Sequence, residues 1–205
     1  MGNVVDEVMN LLVREKPGSM QMAAPDSNQS RISVQEKILK KYTGWYRNTR
    51  TGDALQLYLK GGKLAVSNAG FQMVPEGPLT ALDERTFIMP YIGKVIVRPN
   101  NKLLFIQSPR DTIVYIRVSP ATLDLQGYAG EYYSDEAQVK LSISLKGKAL
   151  MLERSPHDTA TLASTYTDGF YYWFGSICFE RNKQGEIAGF SVSVPRARNI
   201  HFKRL

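Results

Sequence analysis

Hydrolytic and group-transfer chemistry needs a nucleophile, a base to activate it and a group that orients the base. Few residues in this sequence have types suited to those parts. His157 and His201 are the two histidines, and Cys178 the one cysteine, among 205 residues. A single thiol makes no internal disulfide. Cys178 also lies in the apolar stretch Ser176-Ile177-Cys178-Phe179, the setting of a buried strand position rather than of a reactive thiolate. His157-Asp158 has the types of an acid–base pair, but no motif fixes a serine or cysteine beside it, and its place after Pro156 reads as a solvated turn. Asp83-Glu84 and Asp135-Glu136 are paired carboxylates in loops, without the Asp/Asn-rich spacing of a calcium loop. One Cys and two unclustered His fall short of the four ligands of a zinc site. The residues therefore predict no catalytic set, no metal and no cofactor.

Two aromatic motifs stand out instead. Tyr42-x-Gly44-x-Tyr46 recurs as Tyr128-x-Gly130-x-Tyr132. Such a box suits a strand that bends at a glycine, with the ring two residues earlier packing a barrel end. Tyr171-Tyr172-Trp173-Phe174 is a run of four large rings. On a strand two of them point inward and two outward, which makes the run a candidate ligand or interface surface.

These motifs sit in a tandem repeat. Leu39 to Tyr46 matches Leu125 to Tyr132 at an offset of 86 residues. Leu55, Leu57 and Leu59 then fall on Leu141, Ile143 and Leu145, and Lys60-Gly61 on Lys146-Gly147. Leu79 and Phe87 pair with Leu162 and Phe170 at an offset of 83, and the frame returns to 86 with Val114 and Ile116 on Ile200 and Phe202. Within each copy apolar residues alternate with others, the pattern of strands with one buried face. Gly61-Gly62, Gly147 and Asn100-Asn101 mark tight turns. About eight short strands per copy close most economically into an up-and-down barrel, because closure removes exposed edges.

The expected fold is all-β: two tandem eight-stranded antiparallel up-and-down barrels preceded by a short N-terminal helix and linker. Residues 1–34 form the helix and linker, 35–118 the first barrel and 119–205 the second. Val4, Val5, Val8, Leu11 and Leu12 make the apolar stripe of a helix over residues 4–15. A helix that short must pack on something, either the barrels or a domain outside this chain. Ser33 and Glu36 have the spacing of a capping box for a short helix through Ile38 and Leu39.

The formal charge of +7 is uneven. Residues 35–118 carry 13 Lys/Arg against 6 Asp/Glu, whereas residues 119–205 carry 10 against 9. The first barrel is thus basic and could meet an anionic cell-envelope polymer or an acidic neighbouring domain. Nucleic acid is disfavoured, since the basic residues alternate with apolar ones instead of clustering. No apolar run reaches the ~20 residues of a membrane-spanning helix. Met1-Gly2-Asn3 does not begin a basic and apolar leader, so the signal of an exported protein would lie upstream.

The Tyr-x-Gly-x-Tyr box, the following strand and glycine turn, and the closing Phe-x-Arg/Lys strand resemble the lipocalin-like module attached C-terminally to serine hydrolases of the class C β-lactamase and penicillin-binding type. D-aminopeptidases of that group carry two such barrels in tandem, and the resemblance covers residues ~36–205. It implies a non-catalytic accessory region that packs in cis on a bacterial serine-hydrolase catalytic domain, shapes access to its active site or supports homo-oligomerisation. It also implies the cell envelope or secretion, with a cytoplasmic location left open. Residues 4–15 are similar to the last helix of such a catalytic domain. The family's catalytic residues do not carry over: no Ser-x-x-Lys and no Lys-Thr-Gly-type box occurs, and Tyr46-Arg47-Asn48, which spells Tyr-x-Asn, sits inside the strand box. The alternative is a lipocalin-like binding module for a small apolar ligand or an anionic polymer. The inward candidates are mainly Leu, Ile, Val and Phe, which fill an eight-stranded barrel.

Overall fold

The computed structural model describes residues 32–69, 76–89, 93–108, 110–121, 124–155, 158–172 and 175–205. The expected helix over residues 4–15, Trp173, Phe174 and His157 lie outside them. A single turn of helix, α1 (Glu36–Lys40), leads into the first set of strands. Its N-cap is Gln35, and no side chain caps it. The Ser33/Glu36 capping box therefore does not form; Glu36 instead reaches Lys40 one turn on, at 2.9 Å.

The first sheet runs β1 (Gly44–Asn48), β2 (Ala54–Lys60), β3 (Lys63–Ala69), β4 (Gly77–Pro78), β5 (Thr80–Ala81), β6 (Thr86–Met89), β7 (Gly93–Arg98), β8 (Lys102–Ser108) and β9 (Asp111–Val118). Its strand order is β4-β3-β2-β1-β9-β8-β7-β6-β5, all neighbours being antiparallel. The two edges, β4 and β5, are one stretch of chain broken at Leu79. Leu79 is 3% exposed, and its N–H donates to the Leu64 carbonyl at 2.7 Å. The nine pieces thus act as eight strands that wrap round one core.

The second sheet is a closed barrel of β10 (Gly130–Ser134), β11 (Val139–Lys146), β12 (Ala149–Ser155), β13 (Asp158–Ser164), β14 (Gly169–Tyr172), β15 (Gly175–Arg181), β16 (Ile187–Val194) and β17 (Ala197–Arg204), each paired with the next and β17 with β10. Period-two burial is visible throughout: Leu141, Ile143, Leu150 and Leu152 are buried while the residues between them are not. The turns follow the sequence expectation. Gly61 and Gly62 take φ of 58° and 73°, and Asn100 and Asn101 take 62° and 59°, the mirror-image turns that match strand twist.

Both interiors are packed with side chains. The first is mainly aliphatic, with Tyr46, Phe87, Phe105 and Tyr115 among Leu and Val. The second has an aromatic axis, in which Phe190 stacks on Phe202 at 4.9 Å and meets Tyr132 at 4.8 Å and Phe179 at 5.3 Å. Such ring pairs contribute ~0.5–1.5 kcal/mol each beyond their burial.

The closing strand corrects one alignment. Tyr46 pairs with Arg117, and Tyr132 with Arg204, so the ends of the two modules correspond at 87 rather than 86. Tyr115 matches Phe202, both buried, while Val114 and Ile116 are only half-buried. A one-residue shift exchanges the two faces of a strand.

Candidate functional site

Each Tyr-x-Gly-x-Tyr box closes its barrel. The Tyr46 hydroxyl donates to the Tyr42 carbonyl at 2.8 Å, and Tyr132 to the Tyr128 carbonyl at 2.7 Å. The arginine on the closing strand completes the joint. Arg117 donates to the Lys41 and Thr43 carbonyls at 3.1 and 2.6 Å; Arg204 donates to those of Gly127 and Ala129 at 3.0 and 2.7 Å. The guanidinium lies over the glycine: a Cβ on Gly44 would come 3.2 Å from Arg117 Nε, with φ at +141°. The box glycine thus makes room for the arginine fork, whose two N–H groups satisfy carbonyls left unpaired where the first strand begins. The arginines carry the role that the sequence reading missed, although each box is followed by an arginine near its module's end.

A second constellation joins the barrels side by side. Outward-facing Trp45, Ala54 and Val118 of the first barrel pack with Tyr166, Tyr171 and Cys178 of the second. Tyr166, 3% exposed, donates its hydroxyl to the Gly52 carbonyl at 2.7 Å. Its ring lies so close to Gly169 that a Cβ there would collide with it. The Ser176 hydroxyl is within donating distance of Asp53 Oδ1 (2.8 Å) and the Thr51 carbonyl (3.0 Å). Thr51 donates to the other Asp53 oxygen at 2.6 Å, and Asn199 Nδ2 to the Arg50 carbonyl at 3.1 Å. Asp53 is 2% exposed, a depth at which a carboxylate needs such partners. Arg47 Nη1 approaches Cys178 Sγ at 3.7 Å. Burial pushes the Tyr166 hydroxyl far above its ordinary range, so it is a neutral donor and not a base.

The aromatic run divides here. Tyr171 is half-buried in the seam between the barrels, and Tyr172 is buried in the second core. Tyr171 thus faces the other barrel rather than solvent.

The barrel ends differ. At one end of the second barrel Asp168 accepts from the Tyr128 hydroxyl at 2.7 Å and from Arg181 at 2.7 and 2.9 Å, and the Arg181 guanidinium lies 5.7 Å from the centre of the Tyr128 ring. The Asp168 carboxylate raises the Arg181 pKa above its already high value. At the matching end of the first barrel a cleft of about 210 Å³ opens between α1, residues 32–34 and the strand ends, over Leu39, Leu64, Leu79 and Phe87. A shallower groove of about 540 Å³ lies at the joint, along Trp45, Gln56, Val118 and Pro120.

The remaining titratable residues do not converge. His201 Nδ1 stands 3.3 Å from Glu180 on an exposed strand face. Asp158 pairs with Arg154 at 2.6 Å. Ser176, which meets the buried Asp53 carboxylate, hydrogen-bonds to that carboxylate and to the Thr51 carbonyl rather than to an imidazole or a lysine. Among the described residues, no group of three or more His, Cys, Asp or Glu could hold a metal ion, and no helix is long and apolar enough to cross a membrane. No family model matches the chain, and no curated protein matches it.

Proposed function

We propose that residues 35–205 serve as a non-catalytic accessory region of a serine hydrolase related to class C β-lactamases and penicillin-binding proteins, with the two lipocalin-like barrels acting as one rigid body beside the catalytic domain. The observation that carries this reading is the seam. Barrels joined by Tyr166–Gly52, Ser176–Asp53 and Asn199–Arg50 hydrogen bonds hold a fixed mutual geometry, which suits a part that shapes access to a neighbouring site. Side-chain-filled interiors favour scaffolding over storage of a ligand along the barrel axis. The chemistry would then reside in a domain joined through residues 1–34, and the basic first barrel would face an acidic part of that domain or the envelope.

The test is the natural reading frame upstream of Met1. The proposal expects Ser-x-x-Lys followed by Tyr-x-Asn within a few hundred codons. A native start at Met1, or an unrelated upstream domain, contradicts it.

A further inference from the structure

We propose that the α1 end of the first barrel binds a small amphiphilic anion: a carboxylate on one short acyl or aryl group. The site goes beyond the accessory role and stands or falls separately from it.

The floor of the cleft is apolar and well formed. Leu39, Leu64, Leu79 and Phe87 are each 3% exposed or less, so the surface offered to a ligand is the outer boundary of a packed core. Its volume of about 210 Å³ exceeds the ~150 Å³ that accommodates benzene and falls short of the ~300–1,000 Å³ of drug-sized pockets. That is room for one short chain or ring. Ser33, Thr80 and Lys63 stand at its edge as the polar groups that would orient a head group.

The rim is cationic. In an up-and-down barrel, alternate turns lie at the same end. The β2–β3, β5–β6 and β7–β8 turns therefore share this end of the barrel, and of their cations Lys63 lines the cleft itself. They bring Lys60 opposite Lys63, Arg98 opposite Lys102, and Arg85, whose carbonyl accepts from the Val97 N–H at 2.8 Å. All five are exposed, and none makes an ion pair with a described carboxylate. Of the two acids in these turns, Asp83 accepts from the Arg85 and Thr86 N–H groups at 2.7 and 2.8 Å and offsets the Arg85 charge only weakly, leaving Glu84. Like charges set directly across a hairpin cost stability, and an anion relieves that cost.

The second barrel shows what a closed version of this end looks like. Asp168 takes the place of Arg85: its carbonyl accepts from Phe179 N–H at 2.8 Å as Arg85's does from Val97 N–H. There the carboxylate is internal, gripped by Tyr128 and Arg181. In the first barrel Arg85 stands at that position, and the end that holds the apolar cleft carries exposed cations, Lys63 at the cleft itself. The proposed ligand supplies that negative charge.

Calorimetric titration of the full chain with sodium octanoate tests this. The expected result is saturable 1:1 binding, weakened at least tenfold in Lys63→Glu, weakened similarly in Ser33→Trp (a bulky group at the exposed rim) and reduced by added salt. Octan-1-ol, with the same chain and no charge, should bind at least fivefold more weakly. Circular dichroism establishes that both variants are folded. Absence of saturable octanoate binding overturns the proposal. So does equal affinity for octan-1-ol, or binding that neither substitution alters.

Discussion

The guanidinium of Arg204 lies directly against Gly130, with Nε 3.2 Å from where a Cβ would stand, and φ at the glycine is +157°. Arg117 and Gly44 repeat the relationship in the first barrel. The two-residue device fastens the last strand of each barrel to the first.

Substitution of either partner should open that joint. Arg204→Ala removes charged hydrogen bonds to two carbonyls and should cost about 1–3 kcal/mol in urea unfolding, discounted for the exposure of the side chain. Arg204→Lys should recover less than half, because an ammonium cannot span both carbonyls as the fork does. Gly44→Ala should cost about 1–3 kcal/mol, combining a backbone conformation disfavoured for alanine with the clash against Arg117.

The seam between the barrels should unfold by its hydrogen bonds. Tyr166→Phe keeps the ring over Gly169 and loses one bond to the Gly52 carbonyl, for about 1 kcal/mol. Ser176→Ala should cost more, about 1–3 kcal/mol, since it strips a partner from the buried Asp53 carboxylate. In thermal denaturation both should separate the melting of the two barrels, with calorimetric and van't Hoff enthalpies diverging as the unit loses cooperativity.

Alkali should destabilise the fold in a defined window. Burial raises the pKa of Tyr46, Tyr115, Tyr132, Tyr166 and Tyr172 above the ordinary value of 10.0. The unfolded state releases these protons first, so the stability they contribute is complete below about pH 10 and declines as pH rises through the folded values. Tyrosinate absorbance from these five rings should therefore appear together with loss of the far-ultraviolet strand signal, above the ordinary tyrosine range. Tyr166→Phe should remove one ring from that rise.

The two barrel ends should respond unequally. Asp168→Ala breaks the grip of Tyr128 and Arg181 and should cost about 1–2 kcal/mol, tempered by the partial exposure of Arg181. The corresponding Arg85→Ala should change stability by less than about 0.5 kcal/mol, because that exposed side chain makes no ion pair with a described carboxylate and has only a weak charge interaction with Asp83. Thermal melts of the two variants side by side measure the contrast.

Much of this fold is legible in the sequence because period-two patterning and mirror-image turns are local signals. The Leu55/Leu57 and Leu141/Ile143 strands, and the Gly61-Gly62 and Gly147 turns, lie where alternation and turn chemistry place them. The closing strand was harder. Ile113, Val114, Tyr115 and Ile116 are apolar on both faces, so alternation cannot say which face is inward; pairing of Arg117 with Tyr46 does. Ser33 and Glu36 match a cap in spacing, but a single-turn helix starting at Glu36 leaves Ser33 outside it. Tyr166 carries no motif at all. Its role depends on a carbonyl 114 residues away, and such backbone acceptors leave no trace in residue types. Of the aromatic run, Tyr172 follows the inward expectation, whereas Tyr171 is covered by a neighbour that only the docking of two barrels supplies.

The central claim is that the chain is the non-catalytic part of a serine hydrolase, and activity-based labelling tests it most directly. The native gene product is treated with a fluorophosphonate probe and the modified peptide mapped by mass spectrometry. The account predicts one labelled serine, in a Ser-x-x-Lys segment upstream of Met1, and no label on residues 1–205 expressed alone. Labelling of Ser176 or any other serine within residues 1–205, or a native product that takes up no probe, would contradict it.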